Sequence, residues 1–193
     1  MRIIGGEHRG RKIIRPEAEA TRPTKDRIRE SVFNIVSERL PDSDILDIFA
    51  GSGAYGLEAL SRGAKRAVFV DNSKYCASII KNNINTLNVK YRSKVIISDA
   101  FETIEQLYNK KEKFDLLFAD PPYNTGLAKK TLIKVNQYDI LNEFGLLIIE
   151  HHVEEVLPQT GKNVTILKKK TYGDTNISIY IKNGENSDLP GNV

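Results

Sequence analysis

Ile45-Leu-Asp47-Ile-Phe49-Ala50-Gly51-Ser-Gly53-Ala-Tyr-Gly56 is a short apolar run that ends in a glycine loop. Apolar residues resume at once in Leu57-Glu-Ala-Leu60, so the stretch predicts a strand over Ile45–Phe49, a tight turn and a helix over about 54–62. The alternation repeats toward the C-terminus. Apolar runs at Ala67–Val70, Val95–Ile97, Phe114–Ala119 and Leu146–Ile149 are separated by helical patterns from Ser73 to about Leu87, about Ala100 to Tyr108 and about Leu127 to Tyr138. Continuous apolar strands separated by helices predict a parallel sheet covered on both faces. Val164–Leu167 and Ile177–Ile181 follow with no helix between them, joined by a Tyr172-Gly-Asp-Thr175 turn, which predicts an antiparallel hairpin at one edge. Toward the N-terminus, a helix starting near Thr24, just after Pro23, carries Ile28, Val32, Ile35, Val36 and Leu40 at helical spacing and ends at Pro41-Asp42-Ser43. The expected fold class is α/β, a seven-stranded, mostly parallel sheet with a C-terminal antiparallel hairpin and a small N-terminal β-hairpin extension.

The chain of 193 residues is 40% hydrophobic and 28% charged, which fits one folded domain and excludes disorder throughout. The lone Cys76 excludes an internal disulfide and suits a reducing cytoplasm. No apolar run approaches the roughly 20 residues a membrane span needs, and no apolar stretch of a signal peptide follows Met1-Arg-Ile-Ile. A cytoplasmic protein is expected, with no membrane partner. The net charge of +4 is uneven: residues 1–15 carry Arg2, Arg9, Arg11, Lys12 and Arg15 against Glu7, and the rest of the chain balances. This segment reads as two extended runs, Arg2–Ile4 and Arg11–Ile14, joined by a loop with Gly5, Gly6 and Gly10. A basic arm on a neutral body suggests a polyanion partner, most simply nucleic acid, the plain alternative being a solvated terminus. The expected division is an arm (1–22), a folded body (23–182) and a polar tail expected to be disordered (183–193).

Taken alone, Gly51-x-Gly53-x-x-Gly56 fits the dinucleotide-binding fingerprint, and Asp71 supplies an acidic group for a ribose. A nicotinamide-dependent oxidoreductase is therefore a rival, and a tight turn that needs small residues is the plain alternative. Asp47 shifts the balance. A carboxylate four residues before Gly51 would repel a pyrophosphate but suits a cofactor with an ammonium group, and S-adenosylmethionine (SAM) carries an ammonium and a sulfonium.

With that acidic residue, Asp47–Gly53 resembles the first motif of the class I SAM-dependent methyltransferases, whose fold is Rossmann-like. The resemblance implies that Ala50, Gly51 and Gly53 bring backbone close to the cofactor and that Asp47 sits near its methionine amine. Asp71 would accept from the ribose hydroxyls, although the family usually has Glu at that strand end. Asp99 would lie by the adenine amine with the Ala100 N–H facing the ring; it is also placed to cap the next helix, and the two roles are compatible. The cofactor would leave as S-adenosylhomocysteine.

Asp120-Pro121-Pro122-Tyr123 follows the fourth strand. Two prolines stiffen the backbone, so the Asp120 carboxylate and the Pro121 carbonyl hold fixed directions. Two fixed acceptors can bind both N–H bonds of a planar amine, hold them out of plane and so localise a lone pair that the ring otherwise delocalises. Tyr123 can stack on the base that bears the amine. Hydride transfer has no use for such a clamp. The tetrapeptide resembles the (Asp/Asn)-Pro-Pro-(Tyr/Phe) motif of amino methyltransferases, which modify adenine N6, guanine N2 or a glutamine side chain.

Arg2-Ile-Ile-Gly-Gly-Glu-His-Arg-Gly-Arg-Lys12 and Thr21-Arg-Pro-Thr-Lys-Asp-Arg-Ile-Arg-Glu-Ser-Val-Phe-Asn34 narrow the choice. With Leu57-Glu-Ala-Leu-Ser-Arg-Gly63 and Tyr172–Thr175, they resemble bacterial small-subunit (16S) ribosomal RNA guanine-N2 methyltransferases over about residues 1–182. In that family the segment passes close to the cofactor, which makes Arg22, Thr24 and Arg27 candidate site residues; helix capping and surface charge are their plain alternative. The resemblance implies transfer to a guanine N2 in small-subunit rRNA, naked or in a 30S assembly particle, by a monomer. Arg2, His8, Arg9, Arg11, Lys12 and Arg15 would contact the RNA. An adenine-N6 enzyme is the runner-up, and a non-catalytic RNA-binding factor is a third class. His151-His152 point to opposite faces of an extended segment, so no metal site is expected. Cys76 is expected to pack in its helix, and Lys168-Lys-Lys170 to form a solvated edge.

Overall fold

The computed structural model describes residues 1–16 and 24–184, without the side chains of Thr24 and Lys25. Among these residues, β1 (Asp44–Ile48), β2 (Arg66–Asp71), β3 (Ser93–Ile97), β4 (Phe114–Ala119), β5 (Leu141–His152), β6 (Val164–Tyr172) and β7 (Thr175–Lys182) form one sheet. Its order is β3-β2-β1-β4-β5-β7-β6. The first five strands are parallel, and β7 lies antiparallel between β5 and β6. Helices α2 (Ala54–Ser61), α3 (Lys74–Leu87), α4 (Ala100–Asn109) and α5 (Leu127–Gln137) make the crossovers. Strand order reverses between β1 and β4, which opens a crevice at their carboxyl ends.

Alternation along each strand divides the core. Ile45 packs with Phe33, Leu57 and Phe118 on one face of the sheet. Leu46 and Ile48 pack with Ile104, Leu117 and Leu132 on the other. Helix α1 (Thr24–Ile35) buries Ile28, Val32 and Phe33. It stops short of the Pro41 boundary expected from spacing because the chain tightens into a 3-10 turn at Ser37–Arg39, where the Arg39 N–H reaches the Val36 carbonyl at 2.9 Å. Val36 and Leu40 stay buried across that change.

Two strands outrun their apolar patterns. β5 starts at Leu141, paired with Phe114, and a register shift before Leu116 absorbs the polar Asn142-Glu-Phe-Gly145. β6 runs on through Lys168–Lys170, which pair with Ile177–Ile179 of β7 on the outer strand, where exposed lysines discourage edge-to-edge association. Residues 185–193, on which most of the expected tail falls, lie outside the described residues.

The N-terminal segment pairs as a minimal hairpin, with an antiparallel bridge between Arg2 and Lys12. The Ile3 N–H reaches the Arg11 carbonyl at 3.0 Å and the Ile13 N–H the Met1 carbonyl at 3.1 Å. This hairpin is docked: Ile3 and Ile13 belong to the core. Buried Glu58 of α2 accepts the Ile4 and Gly5 N–H groups, both at 2.8 Å, and Asn83 of α3 both accepts from and donates to the backbone of Ile14. Gly6 has φ +75°, and a Cβ there would stand 1.8 Å from the Ser61 carbonyl oxygen. Only a glycine lets the arm lie this close to the end of α2. No helix among the described residues is long and apolar enough to cross a membrane.

Candidate active site

Three carboxylates converge at the ends of neighbouring strands. Ile48 of β1 stands beside Ala119 of β4, which stands beside Ile149 of β5. Side chains alternate, so Asp47, Asp120 and Glu150 share the face occupied by Ile45, Phe118 and Ile148. Asp120 and Glu150 each come one residue after the Ala119–Ile149 pair, on strands about 4.8 Å apart. All three line one recess, together with Ala50, Tyr55 and Arg29.

Asp47 and Glu150 are held by hydrogen bonds. Asp47 Oδ2 accepts the Gly56 N–H at 2.9 Å, which ties β1 to the first turn of α2. A Cβ on Gly56 would stand 2.3 Å from the Phe69 ring, so glycine permits the close helix–sheet approach. Glu150, 3% exposed, accepts from two phenols: Tyr123 on Oε1 at 2.7 Å and Tyr55 on Oε2 at 3.0 Å. The Tyr123 hydroxyl also lies 3.0 Å from Thr175 Oγ1. Burial, then the charge of Glu150, push both phenols well above their usual range, with Asp120 adding to the effect, so both stay protonated.

The glycine loop turns through positive φ at Gly51 and Gly53 and leads into α2. Asp71, at the end of β2, takes the Gly51 N–H at 2.9 Å and the Ser73 N–H at 2.8 Å. Asp99 caps α4 through the Phe101 and Glu102 N–H groups, at 2.8 and 3.1 Å, and Ala100 opens that helix. Asp71 and Asp99 thus follow Asp47 along the carboxyl edge of β1, β2 and β3.

Arg22 lies outside the described residues, as does the side chain of Thr24 where α1 begins, and Arg27 is exposed. Arg2, Arg9, Arg11, Lys12 and Arg15 are exposed on the arm, and His8 is half-buried with its N–H on Ser61 Oγ. None of these six lines the recess, but Met1 does. Arg29 holds that end of the arm, donating to the Arg2 carbonyl at 2.6 Å and standing 3.9 Å from Glu58.

Sequence reasoning passed over Glu150, Tyr55, Arg29 and Met1. Glu150 carried a usable signal, an acidic residue directly after an apolar strand run, as with Asp71 and Asp120. Tyr55 had none, since its role depends on a partner 95 residues away. The Tyr172–Thr175 turn proved to face the site: Thr175 meets Tyr123, and Tyr172 hydrogen-bonds Ser31 of α1. Cys76 is part-exposed on α3, and His151 is buried while His152 is half-buried.

The donor set suits a cationic cofactor. Three carboxylates and one guanidinium line the described part of the recess, an arrangement that favours an ammonium and a sulfonium and disfavours a pyrophosphate. The sheet order, the glycine loop after β1 and the Asp-Pro-Pro-Tyr element after β4 define a class I SAM-dependent methyltransferase. The SAM-dependent methyltransferase from Agrobacterium tumefaciens shares the fold, with a TM-score of 0.58 at 19% identity over 70% of this chain and 47% of that one. The chain belongs to the family described as Conserved hypothetical protein 95, whose model matches residues 1–181. It is 35% identical to the Escherichia coli (strain K12) protein named Ribosomal RNA small subunit methyltransferase D, over 93% of this chain and 89% of that one. The solved structure of the Thermus thermophilus hypothetical protein TTHA0928 superposes with a TM-score of 0.80 at 27% identity, covering 93% of this chain and 98% of that one.

Proposed function

We propose that this protein methylates the exocyclic N2 amine of one guanine in small-subunit ribosomal RNA. The observation that carries the reading is the convergence of Asp47, Asp120 and Glu150 on one recess, in a chain of this family. The likeness to a protein named for small-subunit rRNA methylation supports the substrate class.

SAM, when bound, supplies a methyl group on a sulfonium. Asp47 receives its ammonium group, Ala50, Gly51 and Gly53 bring backbone to it, Asp71 takes the ribose hydroxyls, and Asp99 with the Ala100 N–H takes the adenine. The family resemblance adds Arg22 and Thr24 to the residues that take the cofactor. Asp71 and Asp99 already accept backbone N–H groups, which fixes their directions while a carboxylate retains capacity for a ligand. Asp120 and the Pro121 carbonyl each accept one N2–H of the guanine, and Pro122 keeps the element rigid. The amine lone pair is thereby turned toward the methyl carbon. Transfer would form the N–C bond as the methyl–sulfur bond breaks and S-adenosylhomocysteine leaves, and Asp120 would take the proton that the resulting cationic amine loses. Tyr123 stacks on the base, which must leave its stack to enter.

The exposed basic side chains of the arm supply phosphate contacts independent of sequence. The substrate is free rRNA or an assembling small-subunit particle, and the enzyme acts as a monomer. Incubation with tritiated SAM and small-subunit rRNA or particles, followed by nucleoside analysis, tests the reading. Labelled N2-methylguanosine is expected, and label in N6-methyladenosine or in no nucleoside would overturn it.

A further inference from the structure

We propose that Glu150 selects guanine, by accepting the N1–H of the target base beside the amine clamp. The inference rests on the guanine-N2 reading above and adds to it the residue that reads the base.

Three observations carry it. First, Glu150 lines the recess although it is almost fully buried, so part of the recess wall is a carboxylate. Second, Tyr123 and Tyr55 donate one to each oxygen and give that carboxylate a set direction. Both neighbours donate, which makes position 150 an all-acceptor group; a carboxylate accepts up to four hydrogen bonds, so a ligand N–H adds to the tyrosine pair. Third, Asp120 and Glu150 each follow the registered Ala119–Ile149 pair on one face of the sheet. A ring whose amine is held at Asp120 therefore presents a neighbouring ring atom to the adjacent strand, β5.

In guanine the amine is flanked by N1, which carries a hydrogen, and by N3, which carries a lone pair, so an acceptor on β5 takes the N1 edge. In 2-aminopurine the same amine is flanked by an N1 that carries a lone pair, and in adenine the N6 amine is flanked by an N1 of the same kind. A fixed carboxylate accepts from the first and repels the other two. A site built to bond one substrate hydrogen discriminates strongly against the analogue that lacks it, because its buried acceptor is left unmatched.

The test places guanine or 2-aminopurine at the nucleotide labelled by tritiated SAM in small-subunit rRNA and compares kcat/KM. The wild-type enzyme is expected to prefer guanine by on the order of 100-fold or more. Glu150→Gln is expected to lose about tenfold or more on guanine while holding or gaining on 2-aminopurine, since its amide can donate to N1. Calorimetric SAM binding by the variant shows that it is folded. Equal losses on both bases would reduce Glu150 to a positioning residue for Tyr123 and overturn the proposal. A wild-type preference near unity would overturn it without any variant. Methylation of a different base or atom would instead overturn the guanine-N2 reading on which it rests.

Discussion

The Tyr123 hydroxyl donates to Glu150 Oε1 at 2.7 Å, and this bond joins the proline element to β5. Tyr55 occupies the other oxygen from the first turn of α2, so the two motif-bearing segments meet at one buried carboxylate. The aromatic ring proposed to stack on a base is thus oriented before the base arrives. Order built in during folding is order that binding need not impose, and it favours reaction through a single geometry.

Tyr123→Phe separates the hydroxyl from the ring. It leaves Glu150 one donor short in a buried site and is expected to lower stability by about 1–3 kcal/mol, read from the urea unfolding midpoint. Methyl transfer should fall about tenfold because the ring is kept and only its anchor is removed. Tyr123→Ala removes the stacking surface as well, worth a further 1–3 kcal/mol or so on RNA binding. Equal activity in the two variants would show that the ring does not contact the base.

Glu58 is the keystone of the docked arm. It is fully buried, accepts the Ile4 and Gly5 N–H groups, pairs with Arg62 at 2.8 Å and stands near Arg29. Glu58→Ala leaves the Ile4 and Gly5 N–H groups and the part-buried Arg62 guanidinium without this acceptor and takes the nearby carboxylate from buried Arg29, with an expected cost of about 3–5 kcal/mol. The Ile4 and Gly5 amides should also lose hydrogen-exchange protection ahead of the sheet. Retained protection at those amides would mean that the arm stays docked through its other contacts, Ile3, Ile13 and the bonds to Asn83.

The sheet was legible because each strand of the parallel part is a continuous apolar run and each crossover a 3.6-residue pattern. The same reading located Asp47, Asp71, Asp99 and Asp120, since an acidic residue at the end of such a run is a local signal. The docking of the arm was not legible. Its five basic residues suggested a hairpin displaying charge to a polyanion and gave no sign of what holds it, which is Glu58 and Asn83, at sequence separations of 54 and 69 residues. Glu150 fell between the cases: its strand-end position was visible, but its two tyrosine partners were set by strand order, which no local pattern encodes.

That docking decides how the RNA surface can be tested. Removing residues 1–15 would strip Ile3 and Ile13 from the core and confound binding with folding. Arg9→Ala combined with Lys12→Ala changes only exposed side chains, so stability should stay within about 0.5 kcal/mol of wild type. The slope of log affinity against log salt should shrink by about 0.7–0.9 for each phosphate that these side chains neutralise in the wild type. An unchanged slope would place the RNA on another face.

His151 predicts a pH dependence of stability unrelated to catalysis. Its ring is 1% exposed, with Nδ1 3.0 Å from the His152 carbonyl and Nε2 2.9 Å from Ser178 Oγ. A carbonyl only accepts, so Nδ1 carries a proton, and in the neutral imidazole Nε2 accepts from the serine hydroxyl. Burial pushes the His151 pKa below its usual value, helped by the charge of Lys169 and opposed by the His152 carbonyl and Glu155. The unfolded chain therefore takes up this proton at a higher pH than the folded protein does. The contribution of His151 is fully present above about pH 6.5, declines as pH falls below that value, and stops changing once the folded group has also titrated. Urea unfolding at pH 7.5 and pH 5 should show a loss for the wild type that is smaller in His151→Gln, which keeps hydrogen-bonding capacity but cannot titrate. An identical pH response in the two proteins would assign the loss to the carboxylates instead.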